Sequence, residues 1–188
     1  GLNKMKFNFV VCLIAVFFNC RALVAQEKLR VVTTLSSYAS IVKTIGADRV
    51  EVSSIAPPRF NPHFIEPKPT DILKLTRAQL FIHSGLDLEA WRDPMLTAAS
   101  RVDLKPGGKS VLDLSTVAQL LEVPAGQPSR SEGDIHMFGN PHYWLDPRNG
   151  LSIAKLISQK LSEIDSAGAT KFAANYEKFS QDLSTKIK

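Results

Sequence analysis

The sequence predicts an α/β fold, a parallel sheet flanked by helices, followed by a long helix. Short apolar and β-branched runs, such as Leu29-Arg30-Val31-Val32-Thr33-Thr34-Leu35 and Leu80-Phe81-Ile82-His83, suit strands that are covered on both faces. The stretches between them carry apolar residues at helical spacing. Strand and helix alternate along the chain, and that order builds crossover units around a parallel sheet.

The elements follow in chain order. Residues 1–25 read as a signal peptide: Lys4 and Lys6 precede the ten-residue apolar run Phe9–Phe18, and Ala25 offers a small residue for cleavage. A bilayer span takes about 20 apolar residues, so this run is too short to cross a membrane. Residues 26–166 are expected to form one α/β unit. Leu29–Leu35 is its first strand, and Ser36-Ser37 is expected to cap a helix through Gly46, with Tyr38, Ile41, Val42 and Ile45 on its apolar face. Val50–Ile55 alternates as a second strand and ends at Ala56-Pro57-Pro58. Thr70-Asp71 opens a short helix, and Leu80–His83 is a third strand closed by Gly85. A helix over Leu88–Ser100, a strand over Ser110–Leu114 and a helical stretch near Val117–Leu121 follow. Pro124–Gly139 is polar, rich in Gly, Pro and Ser, and aperiodic, so it reads as a loop. Asp146-Pro147 then starts a helix with Pro in its first turn, and Leu151, Ala154, Leu156, Ile157, Leu161 and Ile164 form its buried stripe. A further helix is expected from Ala169 to the last residue, through Phe172, Tyr176, Phe179, Leu183 and Ile187.

Composition narrows the chemistry. Both cysteines, Cys12 and Cys20, fall in the signal segment, so the mature chain is expected to have no disulfide, thiolate site or cysteine nucleophile. Cys20 could accept a lipid, but Phe17-Phe18-Asn19 before it is bulky and polar for that purpose, and plain cleavage is the favoured expectation. The formal charge of +5 falls to +2 once Lys4, Lys6 and Arg21 are removed. No cluster of cations with interleaved aromatics appears, so no nucleic-acid partner is expected.

Two identical tripeptides stand out: Asn61-Pro62-His63 and Asn140-Pro141-His142. Proline fixes its own φ and keeps the residue before it extended, so each imidazole sits on a stiff backbone, as a metal donor requires. The first tripeptide follows the second strand, and ligands of parallel sheets bind beyond the carboxyl ends of the strands. The repeat therefore points to one site assembled from two loops, with His63 and His142 as metal ligands. His83 ends an apolar strand and reads as a core or edge histidine. Trp91 and Trp144 are expected to pack beneath the site, and Asp146 to cap the helix that follows it.

Three stretches resemble the metal-binding solute-binding proteins of zinc and manganese ABC transporters. Asn61-Pro62-His63-Phe64-Ile65-Glu66-Pro67-Lys68-Pro69-Thr70-Asp71 is similar to that family's D-P-H-x-x-E-P-x-P-x-D, and Gly85-Leu86-Asp87-Leu88-Glu89-Ala90-Trp91 to its G-L-x-L-E-x-W. Asn140-Pro141-His142-Tyr143-Trp144-Leu145-Asp146-Pro147 is similar to its D-P-H-x-W-L-D-P. Both tripeptides carry Asn where many members have Asp. The resemblance implies two α/β lobes joined by a long helix, with one divalent ion between them and two ligands from each lobe. His63 and His142 would be the amino-terminal pair. Residues 26–166 would be that lobe and 167–188 the start of the interlobe helix, with the second lobe absent. The resemblance makes Glu66 a group that orients the ligand loop; His136 lies in the loop where zinc-specific members carry many histidines, and as a lone histidine there it reads as solvated, with an auxiliary donor as the alternative. The implied protein works in the periplasm or on the extracytoplasmic face. It is not an enzyme: it binds Zn²⁺, or Mn²⁺, delivers the ion to a membrane permease, and is monomeric at full length. With half the ligands, this chain alone would bind metal weakly or as a dimer.

The competing reading is a secreted zinc-dependent hydrolase using His63, Glu66 and His142 as a His₂Glu set. It needs a general base and an electrophilic Arg or Tyr near the metal, and the sequence offers no clear pair and no H-E-x-x-H.

Overall fold

The β-branched and apolar runs become the middle of the molecule because their side chains are nearly inaccessible: Val31, Val32, Leu80, Phe81 and Ile82 are each at most 3% exposed. The computed structural model describes residues 27–121, 123 and 138–187, and the segment expected to be a signal peptide, with Cys12, Cys20 and His136, lies outside the described residues. Strands β1 (Leu29–Thr33), β2 (Val50–Ser54), β3 (Leu80–His83) and β4 (Val111–Asp113) form one parallel sheet in the order β2-β1-β3-β4. Val31 pairs with Val52 on one side and with Leu80 on the other, which makes β1 a central strand.

Helix α1 (Ser36–Gly46) connects β1 to β2, while α2 (Pro69–Arg77) and α3 (Arg92–Ala98) lie on the crossovers that lead back through β3 to β4. The chain steps outward in one direction from β1 to β2 and in the other from β2 onward. Right-handed crossovers then place α1 on one face of the sheet and α2 and α3 on the other. The cores match this division. Leu29, Val31, Leu80 and Ile82 pack with Tyr38, Val42 and Ile45 of α1, while Val32 and Phe81 pack with Leu75, Met95 and Leu96.

Two further helices, α4 (Pro147–Ile164) and α5 (Ala169–Ser184), complete the α1 face through Ile153, Ile157, Leu161 and Phe172. Arg49 binds Asp165 with two contacts of 2.6 Å and fastens the start of β2 to the corner between α4 and α5. Asn175 Nδ2 donates to Ile45 O at 2.8 Å and joins α5 to α1. None of the described helices is long and apolar enough to cross a membrane.

Several boundaries differ from those expected. Helix α1 begins at Ser36 with Leu35 as its N-cap and no side-chain cap, so the Ser36-Ser37 pair lies inside the first turn. Helix α3 begins at Arg92 because Leu86 and Gly85 take positive φ and Leu88 and Glu89 are drawn into the core. No helix forms over Val117–Leu121: Asp113 accepts from Ser115 N and tightens Leu114–Val117 into a 3₁₀ turn, after which the chain extends. Helix α5 stops at Ser184 and does not run on through Ile187.

Candidate metal centre

The loops that carry the two tripeptides meet at the carboxyl edge of the sheet. His63 lies on the connection after β2, in a 3₁₀ turn over Pro62–Phe64. His142 precedes a similar turn over Tyr143–Leu145 that leads into α4. Across 79 residues of sequence, His63 Nε2 and His142 Nε2 come within 3.2 Å, with ring centroids 5.2 Å apart. Both rings are partly accessible to solvent.

Each tripeptide builds its turn in the same way. Pro62 and Pro141 hold the preceding Asn extended, and the Asn side chain then folds forward onto the histidine's backbone. Asn61 Oδ1 accepts from His63 N at 3.0 Å, and Asn140 Oδ1 accepts from His142 N at 3.0 Å. Asn140 Oδ1 also lies 2.8 Å from His142 Nδ1. An amide oxygen only accepts, so Nδ1 carries the proton and Nε2 of His142 presents a lone pair. The bond between the rings then has His63 Nε2 as its donor.

Outside the turns the support differs. Trp91 Nε1 donates to Pro62 O at 2.7 Å, a contact worth about 1 kcal/mol that pins the first loop to the start of α3. The second loop is tied to the core through Tyr143, whose hydroxyl donates to Ser84 O at 2.5 Å. Ser84 is fully buried and uses every polar group it has: its N–H donates to Glu89 Oε1 at 2.8 Å, and its hydroxyl bonds Tyr38 OH at 2.9 Å. Burial pushes the Glu89 carboxyl above its ordinary range. Trp144 lies against the His142 ring at 5.3 Å, and Asp146 Oδ1 accepts from Arg148 N at 2.8 Å as the cap of α4.

The structure brings His63 and His142 together and places Trp91, Trp144 and Asp146 on or next to their loops. His83 is the core histidine expected: 1% exposed, with Arg92 Nη1 at 3.0 Å from its Nδ1 and its pKa lowered to about 4 by burial and then by the Arg92 charge. Glu66 departs from expectation. Ile65 continues in extended backbone, which turns Glu66 to solvent, and it makes no hydrogen bond to either imidazole. Asn61 and Trp91 orient that loop instead. The sequence does not mark Asn61, Asn140, Ser84 and Tyr143 as supports, beyond the turn signal of an Asn before Pro.

The arrangement suits half of a metal site. Two nitrogens on one tetrahedral zinc, each about 2.0–2.1 Å from it, lie about 3.3 Å apart, close to the 3.2 Å observed. Among the described residues no group of three or more His, Cys, Asp or Glu side chains converges as a fuller ligand set. Phe64 and Leu145, one residue and three residues beyond the two histidines, stand 77% and 72% exposed beside the pair.

Residues 31–187 match the family described as zinc-uptake complex component A, periplasmic. The chain is 33% identical over 165 residues to a metal ABC transporter substrate-binding lipoprotein of Lactococcus lactis, covering 86% of this chain and 49% of that protein. It is 31% identical over 164 residues to the manganese ABC transporter substrate-binding lipoprotein PsaA of Streptococcus pneumoniae, again covering 85% of this chain and 49% of that protein. A crystal structure of a zinc-bound ZnuA deletion mutant superposes with a TM-score of 0.70 at 25% identity, over 85% of this chain and 55% of that one. The chain therefore spans about half the length of the curated relatives it matches.

Proposed function

The chain belongs to the periplasmic zinc-uptake component A family, and from that premise we propose that it forms the amino-terminal lobe of an extracytoplasmic receptor that binds a divalent transition metal for delivery to a membrane ABC permease. The observation that carries the proposal is the convergence of His63 Nε2 and His142 Nε2 at 3.2 Å on the carboxyl edge of the sheet. Both are ligands in this reading, and His136 is an auxiliary donor. Residues 26–166 are the lobe, and 167–188 begin the helix that leads to a second lobe. That lobe supplies the remaining ligands and covers the exposed Phe64 and Leu145, because large apolar side chains beside a polar site suit a surface that another body closes.

Zinc is the preferred cargo, because neutral imidazoles suit it well. Manganese is the second cargo, in keeping with the manganese transporter named among the relatives. The receptor is exported and works outside the cytoplasmic membrane. The lipoprotein names of the relatives make a form tethered at Cys20 the second version of it. Those relatives are named as substrate-binding components, and among the described residues Glu66 does not group with His63 and His142 as a ligand set, which takes the third ligand from the hydrolase reading.

Calorimetric titration of the chain with zinc and with manganese tests the assignment. Structural zinc sites bind with roughly 10–16 kcal/mol over four ligands, so each lost imidazole should cost about 3 kcal/mol, or about 100-fold in affinity. The variant His63→Ala/His142→Ala should lose measurable binding, and unchanged affinity would overturn the ligand assignment.

A further inference from the structure

We infer that Asn140 is the positioning residue that sets His142 as a metal donor in advance, whereas Asn61, its counterpart in the other tripeptide, shapes only the backbone of its loop. The inference rests on the reading of His63 and His142 as metal ligands. It starts from one oxygen with two partners. Asn140 Oδ1 accepts the backbone N–H of His142 at 3.0 Å, and because a backbone N–H can only donate, the side-chain atom facing it is the carbonyl oxygen. The same oxygen is 2.8 Å from His142 Nδ1. That ring nitrogen must carry the proton, so Nε2 is left with its lone pair directed to His63 Nε2. Pro141 keeps Asn140 extended, and Trp144 lies against the ring at 5.3 Å, so the amide and the imidazole are both held in place.

Asn61 makes the same backbone contact at 3.0 Å, but its oxygen engages no atom of the His63 ring. The two side chains also differ in setting, since Asn61 is exposed and Asn140 half-buried. Identical tripeptides thus give two unlike donors. One is fixed in the tautomer that a metal needs, and the other has its backbone fixed but not its ring by its own Asn. Hydrogen-bond partners that fix the tautomer of a ligating histidine typically change metal affinity about 10–100-fold.

The test uses nitrogen-15 NMR of the imidazoles in the metal-free chain, together with zinc affinity by competition with a chelator. Wild type is compared with Asn140→Ala, Asn140→Asp and Asn61→Ala. In wild type, His142 should show the Nδ1–H tautomer. Asn140→Ala should convert it to a mixture and weaken zinc binding by about 10–100-fold. Asn140→Asp, whose carboxylate accepts the same two bonds, should restore both the tautomer and the affinity. Asn61→Ala should leave the His142 tautomer unchanged. Retention of tautomer and affinity in Asn140→Ala would overturn the inference, as would an equal loss of both in Asn61→Ala. If Asn140→Ala fails to fold, Asn140→Asp decides, since loss of the Nδ1–H tautomer there is equally fatal. The tautomer readout needs no metal, so it is separate from the ligand assignment, which falls only if removing both histidines leaves zinc affinity unchanged.

Discussion

The Asn61-Pro62-His63 loop is clasped by an indole, Trp91, at a carbonyl near the surface, whereas the Asn140-Pro141-His142 loop is bolted through Tyr143 to a serine with no exposed surface. Phe64 beside the first histidine is 77% exposed, while Tyr143 beside the second is 5% exposed. The local turn is common to both because it is written in the tripeptide: proline extends the asparagine, and the asparagine oxygen folds onto the backbone of the histidine. Stiffness is not written there. It comes from whatever the next residues touch. Among the described residues the second loop is therefore the more firmly anchored of the two.

The strongest way to break this contrast uses acid. If the two loops concern the metal and not the stability of the fold, acid should unfold the protein through a histidine in neither loop. The His83 pKa falls from an ordinary 6.5 to about 4 through burial and the neighbouring Arg92. Between those values the unfolded chain binds the proton and the folded chain does not, so stability is complete above about pH 6.5 and falls as the pH drops toward 4. The full amplitude is on the order of 3 kcal/mol. Urea unfolding between pH 7 and 4 should show that slope, and His83→Gln should flatten it. A slope that survives in His83→Gln would assign the acid sensitivity elsewhere, the loops included.

A smaller effect sharpens the contrast. Tyr143→Phe strands a buried carbonyl on Ser84 and should cost about 2 kcal/mol in chemical denaturation. Trp91→Phe releases Pro62 O, which can turn to water, and its lost hydrogen bond should cost only about 1 kcal/mol. If the two variants cost the same, or if Trp91→Phe costs more than its packing change explains, the loops are equally anchored. The smallest effect belongs to Asp146, whose carboxyl is held below its ordinary range by Arg148 and caps α4 directly after the second loop. Asp146→Ala should lower the melting temperature slightly and raise hydrogen exchange at Arg148 and Asn149, with the first loop unaffected. Faster exchange around His63 would mean that the loops share one support.

Much of this was legible in the sequence, for reasons that particular residues make clear. The strands declared themselves because both faces of β1 and β3 are buried, so that Val31, Val32, Phe81 and Ile82 all had to be apolar. The two histidines were legible because proline and a repeat marked them. Asp146 was legible because an acid before Pro at a helix start has few other uses. What escaped depended on tertiary geometry. Nothing local says that Asn140 reaches the ring of its histidine while Asn61 does not, since the two tripeptides are the same. Nothing local says that Ser84 gathers Glu89, Tyr38 and Tyr143 around one residue. Glu66 was misplaced for the opposite reason. Its spacing from His63 suggested proximity, but the chain leaves the 3₁₀ turn at Ile65 in extended backbone and Glu66 is exposed.

The 79-residue separation between the paired imidazoles has a kinetic consequence. Closing a flexible segment of that length costs roughly 4 kcal/mol of chain entropy, and no local element offsets it. The pair therefore comes into being only when β2, β3 and β4 have assembled and α4 has docked. A chain still emerging or half-collapsed has no chelate to offer and holds stray ions no better than any isolated histidine. In the ligand reading proposed above, a metal-competent pair therefore forms only once the sheet is built.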